Sequence, residues 1–303
     1  MSAITLENEF LRVSIHPDQG TGILAFYVHQ NGSWLPVMPD TREEGSRLNS
    51  ASFLMVPYSN RIQNGAFAFQ GKSYQLAYGE RHAIHGDVHS RPWIVEEATA
   101  ERLRCTFHSA DHESVNWPWP FESRAEYSLD GTVFSSRLTL WNRGQSAMPA
   151  GFGWHPFLNR TLTRPGEPVR LCMRVVSVYP DANGNRIPSG PAQPLLAEQD
   201  FSTERTLDPD YFLDSCFQGY DGDGYILWPE SRVKLSYACS PQCTHLVIYN
   251  PLQSPIFAVE PVTNANNGVN LHARGWPGSG IVVLSPGECL EARFDLRVST
   301  GGM

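Results

Sequence analysis

Two patterns are missing from this sequence, and each excludes a class of architecture. In no window of about 11–18 residues do apolar side chains recur at helical spacing, which argues against a mainly helical core. No segment is long enough to cross a bilayer, and Met1 to Gly20 carries neither a basic nor an apolar leader region. Basic residues are also in deficit. Lys and Arg number 23 against 31 Asp and Glu, a formal charge of −8. Nucleic acid and anionic membranes reward clustered cations, so neither is an expected partner. The six cysteines (Cys105, Cys172, Cys216, Cys239, Cys243, Cys289) form no CxxC pair. That scatter suits reduced, mostly buried thiols rather than a disulfide framework. The sequence therefore reads as a soluble cytoplasmic protein. Absent too are a GxSxG elbow, a P-loop, a GxGxxG following a strand and an HExxH, so nucleotide chemistry and the familiar hydrolase machinery have no support.

What is present is β patterning. Leu11 to Ile15 alternates, meets the turn cluster His16-Pro17-Asp18-Gln19-Gly20, and is answered by Ile23 to Val28, an opening hairpin. A second hairpin runs through Phe67 and Phe69, turns at Gln70-Gly71-Lys72-Ser73 and returns through Tyr74 and Leu76. Further short alternating stretches follow to the end, among them Val169–Tyr179. Twenty-five glycines and 23 prolines punctuate them. The expectation is all-β, a large β-sandwich. The length is within reach of one hydrophobic core, and no linker or composition break appears, so residues 1–303 are expected to form a single domain.

The stretch Gly151-Phe152-Gly153-Trp154-His155-Pro156-Phe157-Leu158-Asn159 should be extended, because Pro156 disfavours helical geometry at His155. A period of two puts Gly151, Gly153, His155 and Phe157 on one face, where the glycines would leave room for a ligand beside the imidazole. The alternative is a satisfied core histidine beside Trp154. Glu260 closes the apolar run Ile256-Phe257-Ala258-Val259, costly for a carboxylate unless it is paired or stands at the mouth of a cavity. It could also be an exposed edge glutamate. His82, His85, Asp87 and His89 crowd one segment; imidazoles suit several metals, but a strand would separate His82 from the others, and a solvated loop is the simpler reading. Asn60-Arg61 follows an apolar run and offers a planar fork of donors, or a surface cap. Asp214 is a lone carboxylate among apolar neighbours.

Taken in order, these segments resemble the aldose 1-epimerase (galactose mutarotase) family. The matching residues are Asn60-Arg61-Ile62 with the Gly65 to Leu76 hairpin, His85-Gly86 with Trp93, Trp154-His155-Pro156-Phe157 with Asn159, Leu213 to Phe217, and Phe257 to Pro261. The resemblance implies an antiparallel supersandwich with an open cleft for a pyranose, no cofactor and no metal. It implies His155 as general acid on the ring oxygen, Glu260 as general base on the C1 hydroxyl, and His85 as a hydrogen-bonding group near the reacting centre. Asn60, Arg61 and Asp214 would bind sugar hydroxyls, and Trp93, Trp154, Phe157 or Trp276 would stack on the sugar. The Glu260 carboxylate would help to keep His155 charged. The expected partner is a small-molecule sugar, and the protein itself a monomer or homodimer. Val247 stands where the galactose-type branch carries Gln, and Pro261 to Asn267 also departs from that branch, which leaves the sugar open.

The implied activity is mutarotation, the interconversion of the α and β anomers of a free aldose. Three alternatives are weighed against it. One is a sugar-binding or regulatory β-sandwich without catalysis, which would need no matched acid and base. Another is a mutarotase for a phosphorylated hexose, with Arg61, Arg81 and Arg91 as an anion pocket. The third is metal-dependent isomerisation through His85, Asp87 and His89.

Overall fold

The computed structural model describes residues 2–301. Among them are twenty-six β-strands, several 3-10 turns and one α-helix of six residues, Gly268–Ala273. An eleven-stranded and a nine-stranded antiparallel sheet dominate. They pack face to face: Phe26 meets Phe134 at 5.5 Å between ring centroids, and Trp154 meets Phe294 at 5.7 Å. One apolar cluster fills the space between them and draws on the chain from Leu6 to Val298. The expected sandwich is thus present, and the helical content is as small as the missing 3.6-residue periodicity implies.

Both expected hairpins form. Leu11–His16 pairs with Gly22–Gln30, and Ala66–Phe69 with Lys72–Gln75. The second turn is tighter than the sequence suggests. Gln70 and Gly71 alone make it, with φ of 48° and 77°, while Lys72 and Ser73 already lie in the return strand. The stretch Val169–Tyr179 is divided rather than continuous: Arg170–Met173 joins the nine-stranded sheet and Ser177–Val178 the eleven-stranded one. No disulfide links the cysteines; three are buried, two half-buried, and Cys289 is exposed. No helix among the described residues is long and apolar enough to cross a membrane.

Five strands of the larger sheet position the site: β1 (Ser52–Met55), β2 (Gly153–Asn159), β3 (Leu213–Gln218), β4 (His245–Asn250) and β5 (Ile256–Val262). Across the sheet they lie in the order β1-β2-β5-β4-β3. Alternation sends Leu54, Trp154, Leu158, Phe257, Val259, Leu246, Ile248, Leu213 and Phe217 into the main core. On the opposite face Met55, Val262, Val247 and Cys216 belong to a second, smaller apolar patch, with Tyr179 and Leu271 packed over it. The polar candidates stand on this second face.

Candidate active site

Register brings the proposed acid and base together. In the β2–β5 pairing, Gly153 faces Val262 and Phe157 faces Ala258, so His155 stands directly opposite Glu260. On its other side His155 faces Phe53 of β1, and Glu260 faces Val247 of β4, which faces Cys216 of β3. The result is one transverse row: Phe53, His155, Glu260, Val247, Cys216. Asp214 lies in the next row, opposite Tyr249.

Two prolines mark the seam between β2 and β5. The Phe157 N–H bonds outward to Ala51, so by alternation the position of Pro156 faces β5; the Thr263 N–H bonds to Phe152, so the position of Pro261 faces β2. Neither proline has an N–H. Both missing donors therefore fall on the seam that carries the acid–base pair, and backbone pairing lapses there between Gly153 and Phe157.

The Nε2 of His155 lies 3.1 Å from Oε1 of Glu260, and the two side chains are 9% and 2% exposed. Phe53 stacks on the His155 ring at 4.5 Å and 22°, Phe157 touches it at 4.5 Å, and His85 meets it edge-on at 5.2 Å. Burial dominates the electrostatics. It pushes His155 down to about 3, with the charges of His89 and Arg61 adding to the effect. Burial likewise raises Glu260 well above its usual range, reinforced by Asp214 and opposed by Arg61, and lowers His85 well below the histidine norm. The expected charging of His155 by Glu260 is thus opposed: burial disfavours charge on both partners. The site retains bonding capacity. Nδ1 of His85, His89 and His155, Oε2 of Glu260 and Oδ1 of Asn266 are buried with no hydrogen-bond partner. Orphaned polar atoms gathered around one pair are uncommon in a core, where such groups are nearly always bonded.

The loop from Val56 to Arg61 and the His85–Gly86 segment are locked together. Asp87 N–H bonds Val56 O at 2.9 Å, and a side chain at Gly86 (φ 67°) would sit 1.8 Å from that same carbonyl. His85 itself adopts φ 62°, costly for a non-glycine residue. Its N–H bonds the carbonyl of Asn60, whose side-chain oxygen accepts from Arg61 at 3.0 Å. Asn60 thereby holds His85 and Arg61 in place with both of its oxygens. The Asn-rich stretch after Glu260 closes the lock: Asn264 Oδ1 accepts from Ser59 N–H at 3.1 Å, and Asn267 Oδ1 accepts from Gln63 N–H at 3.0 Å.

Other expectations are revised by the packing. The room beside Gly151 and Gly153 is filled by protein, since a Cβ there would meet Asn264 Oδ1 at 2.3 Å and Val262 Cγ1 at 2.4 Å. Trp93 and Trp154 are buried, the latter donating to Ser136 Oγ at 2.8 Å, so neither can stack on a sugar; Phe157 and Trp276 are partly exposed. Asp87 is bound to Arg91 at 2.6 Å and accepts from Asn116 N–H, and among the described residues no three His, Cys, Asp or Glu side chains converge as metal ligands. Arg91 also donates to the carbonyls of Glu113 and Ser114, which takes it out of any anion pocket with Arg61. Asp214 is paired with Arg186 at 2.8 Å, which also binds Asp181 and lies over Phe212. Neither Phe53 nor Arg186 was identified from sequence. Alternation with buried Leu54 would have pointed to Phe53; Arg186, in a Gly-Asn-Arg turn, gave no signal.

Comparison with known proteins agrees with this architecture. The aldose 1-epimerase family model matches residues 2–297. The uncharacterized protein YphB of Escherichia coli K12 is 24% identical over 98% of this chain and 99% of its own length. A galactose mutarotase-like protein from Clostridium acetobutylicum superposes with a TM-score of 0.85 at 18% identity, covering 99% of this chain and 95% of that one. A GalM/aldose epimerase homologue from C. elegans superposes at 0.81 with 15% identity and 99% coverage of both. The chain belongs to the aldose 1-epimerase family.

Proposed function

We propose, with that membership as premise, that this protein is a mutarotase: it interconverts the anomers of a free aldose by opening and reclosing the pyranose ring. The observation that carries the reading is the His155–Glu260 pair, an imidazole nitrogen and a carboxylate oxygen 3.1 Å apart. The ring oxygen O5 and the anomeric oxygen O1 are both bonded to C1. A pair with this spacing can address the two together.

In the forward step Nε2–H of His155 gives its proton to O5 while Glu260 takes the proton of O1–H. The electrons of that O–H bond form the C1=O1 carbonyl, and the C1–O5 bond breaks with its pair on O5. The aldehyde turns about C1–C2. O5 then attacks the opposite face, its proton returns to His155, and Glu260 returns a proton to O1. Before opening, the proton is on His155; after opening, it is on Glu260. Both tautomers carry the same net charge, so the cycle exchanges no proton with solvent. Opening needs His155 as the imidazolium and Glu260 as the carboxylate. Burial favours the neutral tautomer with the proton on Glu260, so that proton passes to His155 across the 3.1 Å contact before each opening. The pair holds one such proton over a wide pH range.

His85, lowered by burial and hence neutral, would hydrogen-bond the substrate. Arg61, held by Asn60, and Asp214, held by Arg186, would bind hydroxyls. The anion-pocket reading loses support because Arg91 is already neutralised by Asp87. The test is polarimetric decay of freshly dissolved α-D-glucose and α-D-galactose. Acceleration of either by catalytic amounts of protein is expected; no acceleration of these or any other free aldose would sink the reading.

A further inference from the structure

The transverse row that carries the acid–base pair continues past Glu260 through Val247 to Cys216, an end that the proposed proton transfers do not use. The chain leaving β5 turns back over that end. Ala265 belongs to the same apolar patch as Val247 and Cys216, and the Asn266 N–H meets the Cys216 thiol. Asn267 N–H bonds the carbonyl of Arg61 at 2.6 Å. Asn266 is thereby held between the two polar walls of the site, Arg61 on one side and Asp214 with Arg186 on the other.

The side chain of Asn266 is fixed but only half used. It belongs to a residue 3% exposed, and its Nδ2 donates to the carbonyl of Arg186 at 3.0 Å. Turning the amide over would set two oxygens against each other, so Oδ1 faces away from that carbonyl. This oxygen is buried and has no partner. A buried carbonyl left unbonded costs stability that a bound hydroxyl would restore. Asn266, Asp214, Cys216 and Arg186 line a niche of about 20 Å³, room for a single hydroxyl or water. Oδ2 of Asp214 and Oδ2 of Asp181 are both taken up by the Arg186 guanidinium at 2.8 Å. The amide oxygen of Asn266 is a neutral acceptor with no such commitment.

The orientation of the sugar follows from the proposed reaction, on which this inference rests. C1 carries O5, O1 and C2. With O5 at His155 and O1 at Glu260, C2 lies on the side of C1 away from O5. The row runs in the same sense, from His155 through Glu260 and Val247 to Cys216. Two strand spacings, about 10 Å, separate Glu260 from Cys216. A hydrogen bond of about 2.8 Å at each end leaves a gap that matches the reach from O1 to a hydroxyl at C2 or C3.

We propose that Asn266 is a specificity-determining residue of the sugar site: its Oδ1 accepts the hydroxyl at C2 or C3 and so reads the configuration of that carbon. The test compares glucose, 2-deoxyglucose, 3-deoxyglucose and 6-deoxyglucose on wild type and Asn266→Ala. Both kcat/KM for mutarotation and Kd by titration calorimetry are measured. Asn266→Leu, which keeps the volume, serves as the second variant should the first not fold. The change should weaken glucose and 6-deoxyglucose about 3–10-fold, as loss of one neutral hydrogen bond does. Either 2-deoxyglucose or 3-deoxyglucose, already lacking the hydroxyl, should change by less than about twofold. Equal losses on all four sugars would make Asn266 a purely structural residue, and no loss on any would place it outside the site; either result overturns the proposal. The expected pattern in Kd without any mutarotation would keep the contact and remove the activity.

Discussion

The five strands at the centre of the larger sheet have two faces that obey opposite rules. On the inward face Trp154, Phe257, Val259, Ile248 and Phe217 are packed in one apolar cluster, and the indole N–H of Trp154 is satisfied by Ser136. On the outward face, His155 and Glu260 approach to 3.1 Å and leave Nδ1 and Oε2 without partners, with orphaned nitrogens of His85 and His89 alongside. The same backbone supports both, one residue apart. Stability is concentrated on one face, and the other carries buried polarity that folding alone would not select.

Three substitutions or conditions would break or sharpen this contrast. The largest stability effect belongs to the inward face. Phe257→Ala should cost about 3–5 kcal/mol, read as a fall in melting temperature, because it leaves a cavity in a packed core. A loss under about 1 kcal/mol would mean that the inward face is not the stabilising one. On the outward face the sign reverses. Burial raises Glu260 above its unfolded value, so the stability linked to its proton is full at low pH and is lost as pH rises through the folded value. Glu260→Gln, which cannot ionise, should therefore raise the melting temperature, and by more at about pH 8 than at about pH 5. Destabilisation at both pH values would show that Glu260 supports the fold instead. The smallest effect is a flat line. With His155 pushed down to about 3 and Glu260 raised, kcat/KM should show no inflection near ~6.5, where an ordinary histidine titrates. An inflection there would place an exposed histidine in the rate-limiting step.

Much of this was legible in the sequence because alternation is a local property. Period two placed His155 opposite in face to Trp154, and Glu260 in step with Ala258, as found. The match of Asn60-Arg61, His85-Gly86, His155, Asp214 and Glu260 in order pointed to residues that do converge. What stayed hidden depends on contacts distant in sequence. Nothing near Asp214 announces Arg186, 28 residues before it, and nothing near Gly151 announces that Asn264 fills its space. The hydrogen bonds of Asn60 to Arg61 and His85 likewise depend on two loops closing on each other. Ionisation was illegible for the same reason: the depression of His155 comes from burial, to which Phe53 and His85 contribute rings from two other segments beside Phe157 of its own strand.

In the proposed reaction His155 and Glu260 act as one unit that passes a single proton. A double-mutant cycle tests it most directly, with kcat/KM for mutarotation measured on wild type, His155→Asn, Glu260→Gln and the double variant, each checked for intact folding. Either single change should cost about 10²–10⁴-fold and the double variant should be little worse than the weaker single, since removing one partner already disables the pair. Single losses under about tenfold, or losses that multiply in the double variant, would contradict it.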